Sequence, residues 1–487
     1  MSDSTPHGFH QTGAEGPAVG QDEWVARHAE RRIMPSGPLG TIEDRLRTVP
    51  WWAWLILFVA AFSLFPLVET SGYVRQVAFT TVLYMLLALG LNVVVGWGGL
   101  LDLGYVAFYG IGAYVYALLD SPHYHHHFPT FVSVPIVVVV GALAGFLLGL
   151  PSRRLTGDYL AIVTLFFLQL FQTVTTNWQH VTGGPFGILN VDPFGLDHNH
   201  QLATEHNGIF AVSYLYVALG MFVVVFVALR LINNSRTGRA WRSLREDPLA
   251  AEAMGMPVNW LKLLSFACGA AVAALTGSLY AALFGNVFPL SFYFVTLITI
   301  YTMVILGGSG NQAGVVLGAL IVSPLLEMLR DGGKSRVAFF AALVGGLVLF
   351  SRRRPRLAFV GLGTLVFGFV VHIVCSSING RWVGGEHAGG FAGVVDHWVV
   401  APDQMARWIA PVSYIGVIGA ALVVTLLSGW KRLAALVPTL YLAAFVWENV
   451  MLSKPEPARY IVLGVILIVL MILRPNGLLG ERRVEIV

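Results

Sequence analysis

Charge is what this sequence has least of. Asp, Glu, Lys and Arg make up 11% of its 487 residues, under half the roughly 25% of a soluble domain, which excludes an ordinary cytosolic enzyme. Hydrophobic residues at 56% exclude a disordered chain. A formal net charge of only +4, with no basic face, excludes a nucleic-acid partner. Cysteine is nearly absent: Cys268 and Cys375 each lie inside an apolar run, so there is neither a disulfide framework nor a Cys-x-x-Cys metal site. Catalytic motifs are missing too. Gly333-Lys334-Ser335 resembles the end of a phosphate-binding loop, but Met328 stands where that loop requires its first glycine, and neither HExxH nor GxSxG occurs. The chain is therefore expected to be no enzyme and to need no cofactor, and any ATP-driven work falls to another chain. Apolar residues and glycine, 53 of the latter, are abundant instead, as in an all-α, polytopic membrane protein that has the lipid bilayer as its surroundings.

A helix needs about 20 mostly apolar residues to cross a hydrocarbon core about 30 Å thick. The first such run, Trp51–Val68, lies too far from Met1 to be the apolar region of a signal peptide. Others recur near 77–97, 104–119, 130–150, 159–177, 210–232, 259–284, 292–309, 314–329, 337–350, 357–375, 411–429, 433–450 and 460–474. That predicts about fourteen spans, those near 337 and 357 being short or Gly-rich. Residues 1–46 read as a mostly disordered tail with a short helix near Asp22–Arg32.

Basic residues set the orientation. Arg31, Arg32, Arg45 and Arg47 precede the first span. Arg153, Arg154, Arg236, Arg239, Arg242, Arg245, Arg352, Arg353, Arg354, Arg356, Lys431, Arg432, Arg482 and Arg483 fall on that same side by parity. The opposite loops, 120–129 and 178–209, hold no Lys or Arg. Both termini are thus expected in the cytoplasm. Arg330, Lys334 and Arg336 fit poorly, since they land outside.

Residues 90–118 (GLNVVVGWGGLLDLGYVAFYGIGAYVYAL) carry too many glycines for uninterrupted spans. Non-helical backbone survives at membrane depth only where it is buried in protein or lines a wet cavity, and broken helices aim half-helix N-termini at anionic groups of a substrate. Asp102 lies in this stretch, and a carboxylate inside the membrane is a functional candidate by default. One reading is a translocation path lined by Asn92, Gly98, Gly99, Asp102, Gly104, Tyr105, Phe108 and Tyr109. The other is that the glycines serve close helix packing and that Asp102 caps a helix.

Residues 233–258 (NNSRTGRAWRSLREDPLAAEAMGMPV) form the longest charged loop between two firm spans. Asp247 before Pro248 makes an N-cap and N1 pair, which predicts a short helix from there. Trp241 and Leu244 face one way before it, and Leu249, Ala253 and Met256 continue an apolar stripe. Such a helix suits either docking on a soluble partner or lying on lipid headgroups. His123, His125, His126, His127, His198, His200 and His206 crowd two outer loops, but no carboxylate or Cys pattern completes a metal site, and none is expected.

Six blocks then resemble, in content and order, the LivM-type permease subunit of bacterial ABC importers for branched-chain amino acids. They are GLNVVVGWGGLLDLGYVAFYGIGAY (90–114), GDYLAIVTL (157–165), TGGPFGI (182–188), GRAWRSLREDPLAAEAMGM (238–256), GGSGNQ (307–312) and RPNGLLG (474–480), and the likeness covers roughly 77–330 and 457–481. The resemblance implies a multi-pass subunit of the bacterial inner membrane that imports leucine, isoleucine or valine by alternating access. It implies as partners a homologous second permease subunit, two cytoplasmic ATPase subunits and an extracytoplasmic amino-acid-binding protein. It further implies that 238–256 is the coupling helix, with Gly238, Arg239, Trp241, Leu244, Arg245, Asp247, Leu249, Glu252, Ala253 and Gly255 serving the ATPase contact. Ala250–Gly255 is a loose form of the Glu-Ala-Ala…Gly pattern of ABC permeases.

The chain also departs from the family pattern. Gln169 and Gln172 stand where relatives often carry Glu and Arg, and Leu290 follows Pro289 where a Glu is common. About 120 residues are inserted between Arg330 and Glu456, expected to hold four spans, an even number that keeps the last span in its family orientation. The expected organisation is a tail (1–46), a permease core (47–330), an inserted transmembrane segment of unknown role (331–456), and the last core helix with the C-terminus (457–487). Two rival readings stay open. A urea or short-amide permease of the same family more often reads Ser-Leu-Gly-His where this chain has Asp102-Leu103-Gly104-Tyr105. An ion-coupled secondary transporter is supported by Asp102 and Asp158 and weakened by the coupling-type loop.

Overall fold

The computed structural model describes residues 51–68, 71–121, 126–152, 155, 157–197, 200–201, 212–353, 356–383, 391–402, 408–451, 455–473 and 477–479. The predicted tail and its short helix, Arg153, Arg154, Arg354, Arg482, Arg483, and His123, His125, His198 and His206 lie outside the described residues. The structure divides into two units, 1–64 and 65–487.

In chain order the helices are α1 (Trp51–Val68), α2 (Gly72–Leu91), α3 (Tyr105–Leu119), α4 (Thr130–Ser152), α5 (Asp158–Asn177), the single turn α6 (Gln179–Thr182), α7 (Val212–Asn234), α8 (Arg236–Glu246), α9 (Pro248–Ala253) and α10 (Val258–Phe284). They continue with α11 (Phe294–Gly307), α12 (Gln312–Met328), α13 (Gly332–Arg353), α14 (Arg356–Ile378), α15 (Phe391–Asp396), α16 (Ile409–Leu426), α17 (Gly429–Val446) and α18 (Pro455–Leu473). A helix occupies every apolar segment read from the sequence. Among the described residues, nine helices are long and apolar enough to cross a membrane, while α3, α12 and the stretches Trp51–Phe65 of α1 and Ala458–Ile468 of α18 are apolar but shorter. The fold is all-α and polytopic.

Two helices lie at the centre of the second unit. The apolar stretches of α2 and α10 are 83% and 72% buried, against 17% for α14 and 11% for α16. In a bilayer, helices associate through close backbone approach rather than through a hydrophobic driving force, and α10 is built for it. Its Phe266, Ala270 and Ala274 receive Gly141 and Gly145 of α4, one turn apart: a β-carbon on Gly145 would sit 2.6 Å from the Phe266 carbonyl oxygen, and one on Gly141 3.1 Å from that of Ala270. Gly112 of α3 leans on the backbone of Ala274 in the same way. The outward apolar side chains of α14 and α16, among them Phe359, Leu362, Ile415 and Leu422, are those expected to face lipid.

The connections gather at two ends. At one, short antiparallel clasps join Asp120–Ser121 to His126–His127 and Ile188–Leu189 to Asn286–Val287, and the Asp192 amide donates to the Asp120 carbonyl at 2.8 Å. These are the loops that the sequence leaves free of Lys and Arg. At the other end, past α18, the amides of Leu478 and Leu479 donate to the carbonyls of Leu306 (2.8 Å) and Gly307 (3.1 Å), and Asn311 Nδ2 donates to the Leu479 carbonyl at 2.8 Å. The fifth and sixth sequence blocks thus dock on one another.

Within 331–456, Phe340, Val395, Trp398, Val399 and Tyr441 form a separate apolar core. Beside it Arg336 forms an ion pair with Glu448, whose side chain is 4% exposed. Of the other two cations that fitted the outer side poorly, Arg330 lies 3.5 Å from Glu327 and Lys334 3.7 Å from Asp331, so each positive charge has a carboxylate close by. Removing one partner of a buried pair strands the other and costs about 3–5 kcal/mol, whereas replacing both by apolar groups is often neutral. Glu448→Ala should therefore lower the thermal unfolding midpoint of the detergent-solubilised protein, and the double variant Arg336→Met, Glu448→Leu should regain most of the loss.

Candidate functional site

The glycine-dense stretch is a broken helix. α2 runs into a π-helical turn at Asn92–Trp97, and regular helix resumes only at Tyr105. Five of the backbone donors in the break find acceptors outside a regular helix. Gly98 donates to the Val93 carbonyl (3.0 Å) and Leu100 to that of Val94 (3.1 Å). The Asp102 amide donates to Tyr301 Oη (3.1 Å), whose hydroxyl donates back to the Asp102 carbonyl (2.7 Å). Leu103 donates to Thr164 Oγ1 and Gly104 to Asp102 Oδ1, both at 2.8 Å. Asp102 thus caps the start of α3, yet the cap uses one oxygen only: Oδ2 is buried with no hydrogen-bond partner. A buried carboxylate oxygen left unmet is costly, and it keeps Asp102 a functional candidate as well as a cap.

The break is held from three sides. Asn92 Oδ1 accepts from the Gly310 amide at 2.8 Å, and Trp97 Nε1 donates to the Gly310 carbonyl at 2.9 Å. From α8, Arg245 Nη1 donates to the Gly96 carbonyl at 2.6 Å and to that of Ser309 at 3.4 Å, and its Nη2 donates to Ser309 Oγ at 3.4 Å. Trp241, also on α8, stacks on Trp97 with centroids 6.2 Å apart and donates to the Leu261 carbonyl at 2.9 Å. Gly99, at φ +66°, curls round this guanidinium stem, and a β-carbon there would lie 3.0 Å from Arg245 Cγ.

The remaining path candidates are enclosed. Of the eight residues assigned to a path, only Gly99 is exposed. Phe108 packs on Phe167 (5.3 Å), and Tyr109 meets Tyr280 (5.6 Å) and Phe292 (5.0 Å) edge-on, while Tyr105 is fully buried. Thr164, Tyr301 and Ser309 enter the site without having been singled out. Thr164 and Ser309 fall within two of the sequence blocks, whereas nothing local to Tyr301 marks it.

The charged loop folds into two helices. Ser235 caps α8, and Asp247 caps α9 by accepting from Leu249 (2.8 Å) and Ala250 (3.1 Å), as its sequence predicts. The continuous apolar stripe does not form. Asp247 is extended (φ −150°), and this turns the chain so that Trp241 and Leu244 of α8 point inward at 1% exposure, whereas Leu249 and Met254 are 78% and 81% exposed. Ala251 is the inward residue of α9; Ala253, Arg239, Glu252 and Gly255 face outward, and Gly238 is buried against Asn233.

Residues 73–351 match the family described as branched-chain amino acid transport system, permease component. The chain is 37% identical over 342 residues to the high-affinity branched-chain amino acid transport system permease protein LivM of Escherichia coli, covering 66% of this chain and 77% of that protein. It is 28% identical to the probable branched-chain amino acid transport permease protein LivM of Methanocaldococcus jannaschii (48% of this chain, 70% of that one). It is 25% identical to the E. coli permease protein LivH (49% and 79%). No solved structure matches the chain.

Two glycine replacements separate the site from the scaffold. Gly99→Ala places a β-carbon in the left-handed region, at about 1–2 kcal/mol, and against Arg245. Gly220→Ala on α7 meets nothing within 4 Å and gains helix propensity. The first should lower the unfolding midpoint, and the second should leave it unchanged or raise it.

Proposed function

The chain belongs to the family of branched-chain amino acid transport permeases, and on that footing we propose that it is the LivM-type subunit of an ATP-driven importer of leucine, isoleucine and valine. Its partners are a homologous second permease, for which the likeness to LivH argues, two cytoplasmic ATPase subunits, and an extracytoplasmic binding protein that delivers the amino acid. It resides in the bacterial inner membrane with both termini in the cytoplasm, and 331–456 is a helical insertion between α12 and the last core helix.

One contact carries the mechanism: the Arg245 guanidinium of α8 on the Gly96 carbonyl of the broken helix. Leu249 of α9 and Met254 at its C-terminal end are offered to the ATPase. Movement of the ATPase pair on binding ATP shifts α8 and α9 together. Arg245 and the Trp241–Trp97 stack pass that shift to the break at 92–104 and to the turn at 308–310, so that the path beside them opens first to one side and then to the other. The chain's own residues bind, position and move; hydrolysis takes place in the partner.

The first test is uptake of labelled leucine in cells with and without the gene, with vanadate and an uncoupler alongside. Leucine uptake should vanish with the gene and with vanadate. Uptake of urea in its place moves the substrate, and sensitivity to the uncoupler alone points to ion coupling. Docking and transmission should come apart by substitution. Leu249→Asp and Met254→Asp should abolish co-purification of the ATPase, whereas Arg245→Gln should keep the complex and cut uptake by about tenfold or more, the loss of one charge-assisted hydrogen bond. Asp102→Asn should lower uptake with assembly intact, and normal transport by that variant would remove Asp102 from the path.

A further inference from the structure

One face of α5 is packed on the broken helix and on α3. Thr164 Oγ1 accepts from the Leu103 amide at 2.8 Å, and Leu160 joins Val94 and Leu100 in one apolar cluster. Phe167 lies on Phe108 and Phe171 on Tyr114, with ring centroids 5.3 and 6.1 Å apart. The opposite face is bare: Ile162, Leu165, Phe166, Gln169, Leu170 and Thr173 are all exposed, recurring at the three- and four-residue spacing of one side of a helix. The exposed faces of neighbouring core helices are apolar. α4 presents Ile136, Val139, Leu143 and Leu147, α7 presents Val224 and Leu231, and α12 presents Leu317 and Ile321. The face of α5 differs by carrying an amide in mid-helix.

The 20 residues of α5 cover about 30 Å, the thickness of a hydrocarbon core, which places Gln169 near the middle of the bilayer. Its side chain carries two donors and an acceptor and meets no partner in this chain among the described residues. A bare amide in hydrocarbon is costly, and polar side chains in spans turn to the bundle interior or to a water-filled cavity. The interior is closed to it, because the inward positions of α5 are filled by Thr164, Leu168 and Phe171. Water on the outward side is what remains. Thr173 and Asn177, one and two turns further on, each donate to the carbonyl one turn back at 2.8 Å. They extend a polar track toward the end whose loop holds no Lys or Arg, while Ile162, Leu165 and Phe166 keep the other half apolar. Asp158, its first residue, is the one charged residue of α5. Such a wall suits an aliphatic amino acid in passage. It offers apolar surface to the side chain and neutral hydrogen-bonding groups to the ammonium and carboxylate, with no fixed charge at mid-depth to hold the cargo against release.

We propose that the exposed face of α5 is this chain's wall of a water-filled translocation path, with Gln169 as the polar contact of an aliphatic amino acid midway through the bilayer. The opposite wall is the second permease, for which the likeness to LivH argues. The proposal rests on the importer reading and puts the path on the far side of α5 from the break. Asn92, Asp102, Tyr105, Phe108 and Tyr109 are enclosed because they support that wall from behind. Thr164 joins the two sides: it holds the Leu103 amide of the break on a helix whose other face meets the cargo, so that a shift of the break moves the wall.

The test is cysteine reactivity in the assembled transporter, in permeabilised membranes, on a background carrying Cys268→Ala and Cys375→Ala. Gln169→Cys and Thr173→Cys should react with a charged methanethiosulfonate about tenfold faster or more than Leu143→Cys of α4 and Val224→Cys of α7, which face lipid. Saturating leucine should slow the reaction of Gln169→Cys severalfold. Should Gln169→Cys fail to assemble, Leu170→Cys reports on the same face. In uptake, Gln169→Leu should lower leucine transport about tenfold at unchanged membrane content and unchanged ATPase co-purification, the loss of one hydrogen bond, and Gln169→Asn, which keeps the amide, should restore most of it. Reaction at both α5 positions no faster than at the two controls overturns the proposal, and so does full uptake by Gln169→Leu. Fast reaction at both positions in a protein that takes up no branched-chain amino acid keeps the wall and overturns the importer reading alone.

Discussion

A bilayer holds no water to meet a peptide group that leaves a helix, so a broken helix exists only where protein supplies the partners. That constraint organises this molecule around residues 92–104. The freed amides of Asp102 and Leu103 reach Tyr301 and Thr164, on α11 and α5, and the carbonyl of Gly96 is met by Arg245 of α8. Asn92 and Trp97 reach across to Gly310. Segments separated by up to 218 positions in the chain are thus gathered by the need to satisfy a few peptide groups. The small-residue faces of α3, α4 and α10 bring the backbones of those helices close together.

Much of the architecture could be read from the sequence because its signals are local. Apolar length marked the helices, glycine density marked the break, and Asp247-Pro248 marked the start of α9. What escaped depends on direction and distance. An arginine in a charged loop is by default a solvated, positive-inside residue, and nothing in RAWRSLRED distinguishes Arg245, which turns inward to a carbonyl, from Arg242, whose exposed side chain reaches only the Asn233 carbonyl at 3.4 Å. The apolar stripe failed at Asp247, where a change of chain direction that no periodicity encodes put Leu249 and Leu244 on opposite sides. The chemistry of Tyr105, Phe108 and Tyr109 suggests a lining, yet in the structure Phe108 packs on Phe167, Tyr109 meets Tyr280 and Phe292, and Tyr105 is fully buried.

The cluster Arg330, Lys334 and Arg336 is the instructive intermediate case. The orientation rule flagged it as misplaced without saying why. In the structure its charges stand beside Glu327, Asp331 and Glu448. The local misfit to a general rule thus coincides with three cations that each have a carboxylate beside them.

The division of labour between α8 and α9 has an evolutionary consequence. The residues that grip the interior, Trp241 and Arg245, lie on α8, and those that face outward, Leu249 on α9 and Met254 at its C-terminal end, lie beyond a single extended residue. If the ATPase docks on the outer surface as proposed, mutations that retune that surface need not disturb the inner linkage. On that proposal, a lineage could exchange its motor by rewriting the short stretch Pro248–Met254 and inherit the transmission unchanged.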